Sequence, residues 1–188
     1  RSSGAAQRHR HHRTRDAERA HAVFGAGHDV GGATLVLTSD VPLGAGLSSS
    51  AAIECAVVAA YCDLYGLGIA PIDRAKLARV AENAYVGAPT GLLDQAASTL
   101  CQAEAGLFLD CRSLETELVP LPMAEQGYEM LVLDTKTPHS HVDGEYGTRR
   151  ATCEEAARLL GVPALRDVTD LDAALAKLDD ETDRKSVV

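Results

Sequence analysis

Residues 42–52 read PLGAGLSSSAA, and the reading of this stretch decides the rest. Gly44 and Gly46 let a backbone curl and approach a bulky anion with no Cβ in the way. Ser48, Ser49 and Ser50 are favoured residues for opening a helix. Beyond them Ile53, Ala56, Val57, Ala60, Tyr61 and Leu64 recur at the spacing of one helical face, and Gly66 offers a stop. Such a helix points free N–H groups and the positive end of its dipole at the preceding loop. Three hydroxyls add donors, one of them able to ligate Mg2+. Pro42, Leu43, Gly44, Ala45, Gly46, Leu47, Ser48, Ser49, Ser50 and Ala51 are therefore the candidate phosphate-binding residues, and triphosphate the expected guest.

Other anion loops compete for this reading. A Walker A loop requires G-x-x-x-x-G-K-[ST], and this loop has no lysine. The dinucleotide fingerprint G-x-G-x-x-G/A is nearly met by Gly44, Gly46 and Ser49. It also needs an acidic residue about 20 positions on, at the end of a second strand, where Asp63 to Tyr65 still follow the helical pattern. A tight turn with no guest is the plain alternative, and the serine run followed by small residues argues against it.

Working outward, ATLVLT at 33–38 reads as a short strand before the loop. A second helix is expected from Pro71 or Ile72 to Tyr85 and a third from Gly91 to Gln102. Strand-like runs follow at GLFLDC (106–111), LETELVPL (114–121) and EMLVLDT (129–135), then helices near 143–160 and 170–179. Strand, helices, antiparallel strands, helices is an α+β order, not a regular βαβ alternation.

Composition narrows the class. The 188 residues leave room for one domain or slightly more, at roughly 100–200 residues per domain. With 46% hydrophobic and 24% charged residues the chain is globular, and no apolar run approaches the ~18 residues of a membrane span. Five cysteines with no C-x-x-C pair argue against a disulfide framework or zinc ribbon and for a reducing cytoplasm. Cys55 and Cys62, on one helix, are expected in the core. Residues 1–22 carry six Arg against two acidic groups, and the rest of the chain has a net charge of −13. So acidic a body disfavours nucleic acid. The tail, which also holds His9, His11, His12 and His21, is expected to be unstructured or out of frame, with a nucleic-acid arm or metal tract as alternatives.

Three segments together resemble the galactokinases of the GHMP kinase family. PLGAGLSSSAA resembles their central phosphate-binding motif. ENAYVGAPTGLLDQAAS (82–98) resembles the segment whose G-x-x-D-Q carries the catalytic aspartate, here Asp94. EYGTRRATCEEAARLLGV (145–162) resembles a later segment whose tyrosine contacts the sugar, here Tyr146. The resemblance covers roughly residues 22–185. It implies a GHMP-kinase-like two-layer α+β fold, with residues 23–117 from the N-terminal, ATP-binding domain and 118–188 beginning the C-terminal one. It further implies ATP and Mg2+ as cofactors, galactose as substrate, galactose 1-phosphate as product, and a monomer at full length. The family's opening arginine and glutamate–histidine segment and its late glycine-rich motif have no counterpart here, so the middle of a galactokinase is expected, aggregating or marginally stable when isolated, with an inactive fragment as one alternative. A non-catalytic sensor or remnant, another GHMP kinase acting on mevalonate or homoserine, and a dinucleotide-binding protein remain alternatives.

Phosphoryl transfer to an alcohol needs positioning, charge neutralisation and a base for the hydroxyl proton. Asp94 is the candidate base and, with Tyr146, the candidate sugar contact; Ser49 and Glu82 are the candidate Mg2+ ligands. Each has a plain alternative. Asp94 near a helix start is also a cap, and Glu82 with Lys76 and Arg79 on one face is also a surface ion pair. Tyr146 also covers a helix end. His139 and His141, flanking Ser140, have no further ligand at metal spacing and read as loop residues.

Overall fold

Helix α1, Ser49–Tyr65, organises the first of two compact units, residues 1–139 and 140–188. In the computed structural model, which describes residues 27–42, 46–133 and 142–178, α1 buries Ala51, Glu54, Cys55, Val57, Val58, Tyr61 and Cys62. The face differs from the sequence expectation. Val57 and Tyr61 are inside, but Ala56, Ala60 and Leu64 lie exposed. The partners explain the rotation: Ala78 packs into the cluster of Cys55, Val57, Val58, Tyr61 and Cys62, and Gln95 bonds Glu54. A hydropathy pattern ranks leucine above glutamate and cannot see those partners. The helix stops where expected, at Gly66 with φ 63°, and Leu67 N donates to Cys62 O at 2.8 Å.

Helix α2, Pro71–Ala81, begins with proline, whose missing N–H costs nothing at a helix start. It buries Ala75, Ala78 and Ala81. Such small side chains let α1, α2 and the next helix approach closely, and the three pack on one another. The expected helix to Tyr85 continues, but through a widened π turn, Glu82–Val86, that ends at Gly87 with φ 82°. Helix α3, Leu93–Leu100, is two residues shorter than expected at each end. Strands β1, Ala105–Leu109, and β2, Thr116–Pro120, form an antiparallel hairpin with Leu107 opposite Leu118. Leu107 and Leu109 pack on Ala75, Leu92 and Ala96, and Phe108 on the other side is 58% exposed. The connection is built on Asp110, whose Oδ1 accepts from Arg112 N at 2.7 Å and Ser113 N at 3.0 Å.

Two expected strands are not formed. Residues 33–38 are irregular: Leu35 packs on the α1 cluster, and Val36 is 89% exposed. Residues 129–133 are also irregular, with Met130, Leu131, Val132 and Leu133 exposed; 134 and 135 lie outside the described residues. Both segments have strand-forming composition, but a strand needs a neighbour to take its ladder bonds, and among the described residues neither has one.

The second unit contains α4, Val142–Leu160, a 3-10 turn at Leu165–Asp167 and α5, Leu171–Leu175. Gly161, φ 72°, ends α4, and Val162 N donates to Ala157 O at 3.1 Å. Exposed pairs Arg150–Glu154 and Glu155–Arg158 lie along α4. A helical layer with an antiparallel hairpin in one unit and helices in the other make the α+β class plain. No helix among the described residues is long and apolar enough to cross a membrane.

Candidate functional site

The mouth of α1 is shaped by two positive-φ residues, Gly46 at 72° and Ser48 at 52°. Glycine accepts this conformation freely. Serine does not, and holding it there costs about 1–2 kcal/mol. Ser48 stands at the N-cap position yet makes no side-chain capping bond; its carbonyl accepts from Ala52 N at 3.0 Å. The amides of Ser49, Ser50 and Ala51 have no carbonyl four residues back within the helix. Ser49 is half-buried, Ser50 exposed and Ala51 buried. Pro42, Gly46 and Leu47 are exposed, and Leu43, Gly44 and Ala45 lie outside the described residues. The result is a helix entrance with donors, hydroxyls and a positive dipole end, which suits a polyanion.

Asp94 sits in the first turn of α3 with its side chain exposed. The loop before it is pinned by Asn83 on the π turn. Asn83 Oδ1 accepts from Thr90 N at 3.1 Å and from Thr90 Oγ1 at 3.2 Å, and its Nδ2 donates to Thr90 O at 3.4 Å. On the helix itself the next residue, Gln95, is 2% exposed. Gln95 Nε2 donates to Glu54 Oε2 at 3.4 Å, and Cys55 Sγ donates to Gln95 O at 3.6 Å. Glu54 and Cys55 lie in the second turn of α1, so the first turn of α3 is held beside the mouth end of that helix. At about 1.5 Å rise per residue, Ser49 to Glu54 spans roughly 7.5 Å along the axis.

Glu82 is no surface ion-pair residue. It opens the π turn, is 6% exposed, and its Oε2 is buried with no hydrogen-bond partner among the described residues. Lys76, which the sequence groups with it, pairs instead with Asp73 at 2.8 Å. The π turn packs against α1. A buried, unpaired carboxylate oxygen and a serine hydroxyl are hard oxygen donors of the type Mg2+ takes, and Mg2+ needs only one or two from protein. Among the described residues no group of three His, Cys, Asp or Glu side chains forms a larger metal site.

Tyr146 lies on α4 in the second unit, 43% exposed. His139 and His141 fall outside the described residues. Burial pushes the Cys55 and Cys62 thiols up, opposed at Cys55 by the nearby polar side chains of Thr99 and Ser98 and at Cys62 by the charge of Arg74. They are core thiols, as the sequence suggested.

Residues 14–102 match the model of the GHMP kinases N terminal domain. Galactokinase from Streptomyces coelicolor is 53% identical over 165 residues, 87% of this chain and 43% of that protein. The chain is homologous to the N-terminal part of the galactokinases of the GHMP kinase family. Galactokinase from Mycobacterium tuberculosis (strain H37Rv) is 44% identical over 165 residues, again 87% of this chain and 46% of the relative. The crystal structure of Lactococcus lactis galactokinase complexed with galactose superposes with a TM-score of 0.80 at 26% identity, covering 92% of this chain and 46% of that one. The α+β fold resembles the GHMP kinase N-terminal ATP-binding domain. The chain spans less than half the length of these curated relatives.

Sequence reasoning missed Asn83, Thr90, Glu54 and Gln95 as parts of the site. The signal available for Glu54 was a lone charged residue within the apolar run of its helix; Gln95, among other polar residues, gave none.

Proposed function

We propose that this chain supplies the phosphate cradle and the base of a kinase that transfers the ATP γ-phosphoryl group to the C1 hydroxyl of galactose, giving galactose 1-phosphate. One observation carries the reading: the bond between Gln95 and Glu54 holds the Asp94 turn beside the serine-lined mouth of α1. The galactokinase relatives supply the sugar. The amides and hydroxyls of 46–51 bind and orient the ATP phosphates. Ser49 and Glu82 are the residues that would hold Mg2+, which when bound neutralises phosphate charge. Asp94 takes the proton from the C1 hydroxyl as that oxygen attacks; an ionised carboxylate within hydrogen-bond reach suffices. Tyr146 contributes a sugar contact, and residues 23–117 and 118–188 belong to the N- and C-terminal domains. A cytoplasmic protein, monomeric at full length and without nucleic-acid or membrane partners, completes the reading.

The test is ATP consumption with galactose, mevalonate and homoserine in parallel, with Asp94→Ala as control. Turnover with galactose alone, abolished in the control, is the expected result. Turnover with mevalonate or homoserine instead places the chain with another GHMP kinase, and NAD binding without ATP binding contradicts the kinase reading.

A further inference from the structure

The layer between α1, α2 and α3 is packed with alanine: Ala51, Ala75, Ala78 and Ala96 are each 0–2% exposed. Into this layer the chain inserts two long polar side chains, Glu54 at 0% and Gln95 at 2%. Apolar residues of similar volume would fill the same space without desolvating a carboxylate and an amide, which is costly unless each is hydrogen-bonded. A buried polar pair that loses its hydrogen bond when one helix turns against the other penalises that rotation more steeply than apolar contacts do. Gln95 follows Asp94 directly. One residue of slip or rotation along α3 turns the Asp94 side chain by about 100° around the helix axis.

We propose that Glu54 and Gln95 are positioning residues, whose hydrogen bond across the α1–α3 contact fixes the rotation of α3 and so the place of the Asp94 carboxylate relative to the phosphate cradle. Neither touches substrate. The inference rests on Asp94 acting as base. Because a misplacement of about 1 Å can cost on the order of 100-fold in rate, a pair that only sets geometry still has a large catalytic reach.

The decisive variants are the apolar pair Glu54→Leu/Gln95→Leu and the exchanged pair Glu54→Gln/Gln95→Glu, with Gln95→Met held in reserve if the apolar pair does not fold. The apolar pair should lower kcat by about 10- to 100-fold while KM for ATP and galactose stay within about threefold and the urea midpoint does not fall. The exchanged pair keeps a donor facing an acceptor and should recover most of the lost kcat. A second readout does not need turnover: amide NMR signals of 93–96 should broaden or double in the apolar pair and stay single in the exchanged pair, with α2 signals unchanged in both. An apolar pair with full kcat and single sharp α3 signals overturns the proposal, as does a kcat loss that merely follows the unfolded fraction. Failure of the base assignment looks different: Asp94→Ala would then retain turnover, whereas the NMR comparison would still decide whether the pair orients α3.

Discussion

Two helix entrances in this chain handle the same problem in opposite ways. At α5 the carboxylate of Asp170 accepts from Ala173 N at 2.9 Å, so the helix satisfies its own first turn. At α1 Ser48 stands at the same place, yet its side chain makes no capping bond and it sits in a left-handed conformation. The first helix end is closed and the second is held open. Ser48 spends strain without making a side-chain cap, and in the function proposed above the phosphates of ATP take the donors of that first turn.

The largest effect expected from breaking this contrast is chemical. Asp94→Ala should reduce turnover with galactose by about 100- to 10,000-fold, the range for loss of a general base, with ATP binding little changed by calorimetry. Next, Ser50→Asp places a fixed negative charge in the first turn of the open entrance. A carboxylate in the first turn should stabilise the helix by about 0.5 kcal/mol. It should also weaken ATP by about tenfold, as expected for like charges roughly 6 Å apart at partial exposure. Stability and affinity then move in opposite directions, measured by urea denaturation and calorimetry on one sample. Asp170→Ala at the closed entrance should cost about 1 kcal/mol of stability and leave ATP affinity untouched.

How far the sequence led is best seen residue by residue. The α1 start after Ser48, the stop at Gly66 and the start at Pro71 were legible because helix ends and proline act locally, within one turn, although the Ser48 side chain makes no cap. Cys55 and Cys62 were legible as core because small apolar side chains seldom have another use on a helix. The burial of Glu82, the rotated face of α1 and the Glu54–Gln95 bond were not, since each depends on residues distant along the chain or on a π turn that no periodicity announces. The segments at 33–38 and 129–133 show the converse. Their composition favours strand, but pairing is a property of a neighbour and not of the segment.

The smallest expected effect concerns pH. Cys55 and Cys62 titrate higher in the folded chain than in the unfolded one, chiefly through burial. The stability they contribute is fully present below the ordinary thiol value and is lost as pH rises through the raised folded values. Urea midpoints should therefore be flat from neutral to mildly alkaline pH and decline beyond it. In Cys55→Ala/Cys62→Ala the alkaline decline should be shallower.

The most direct measurement replaces Mg2+ with paramagnetic Mn2+ bound to ATP and follows the amide NMR signals of the chain. If the mouth of α1 grips the phosphates with Asp94 in the same cleft, signals of 46–51 and of 93–95 broaden together, and those of the hairpin 105–120 persist. Broadening at 46–51 with the signals of 93–95 left sharp would contradict the account.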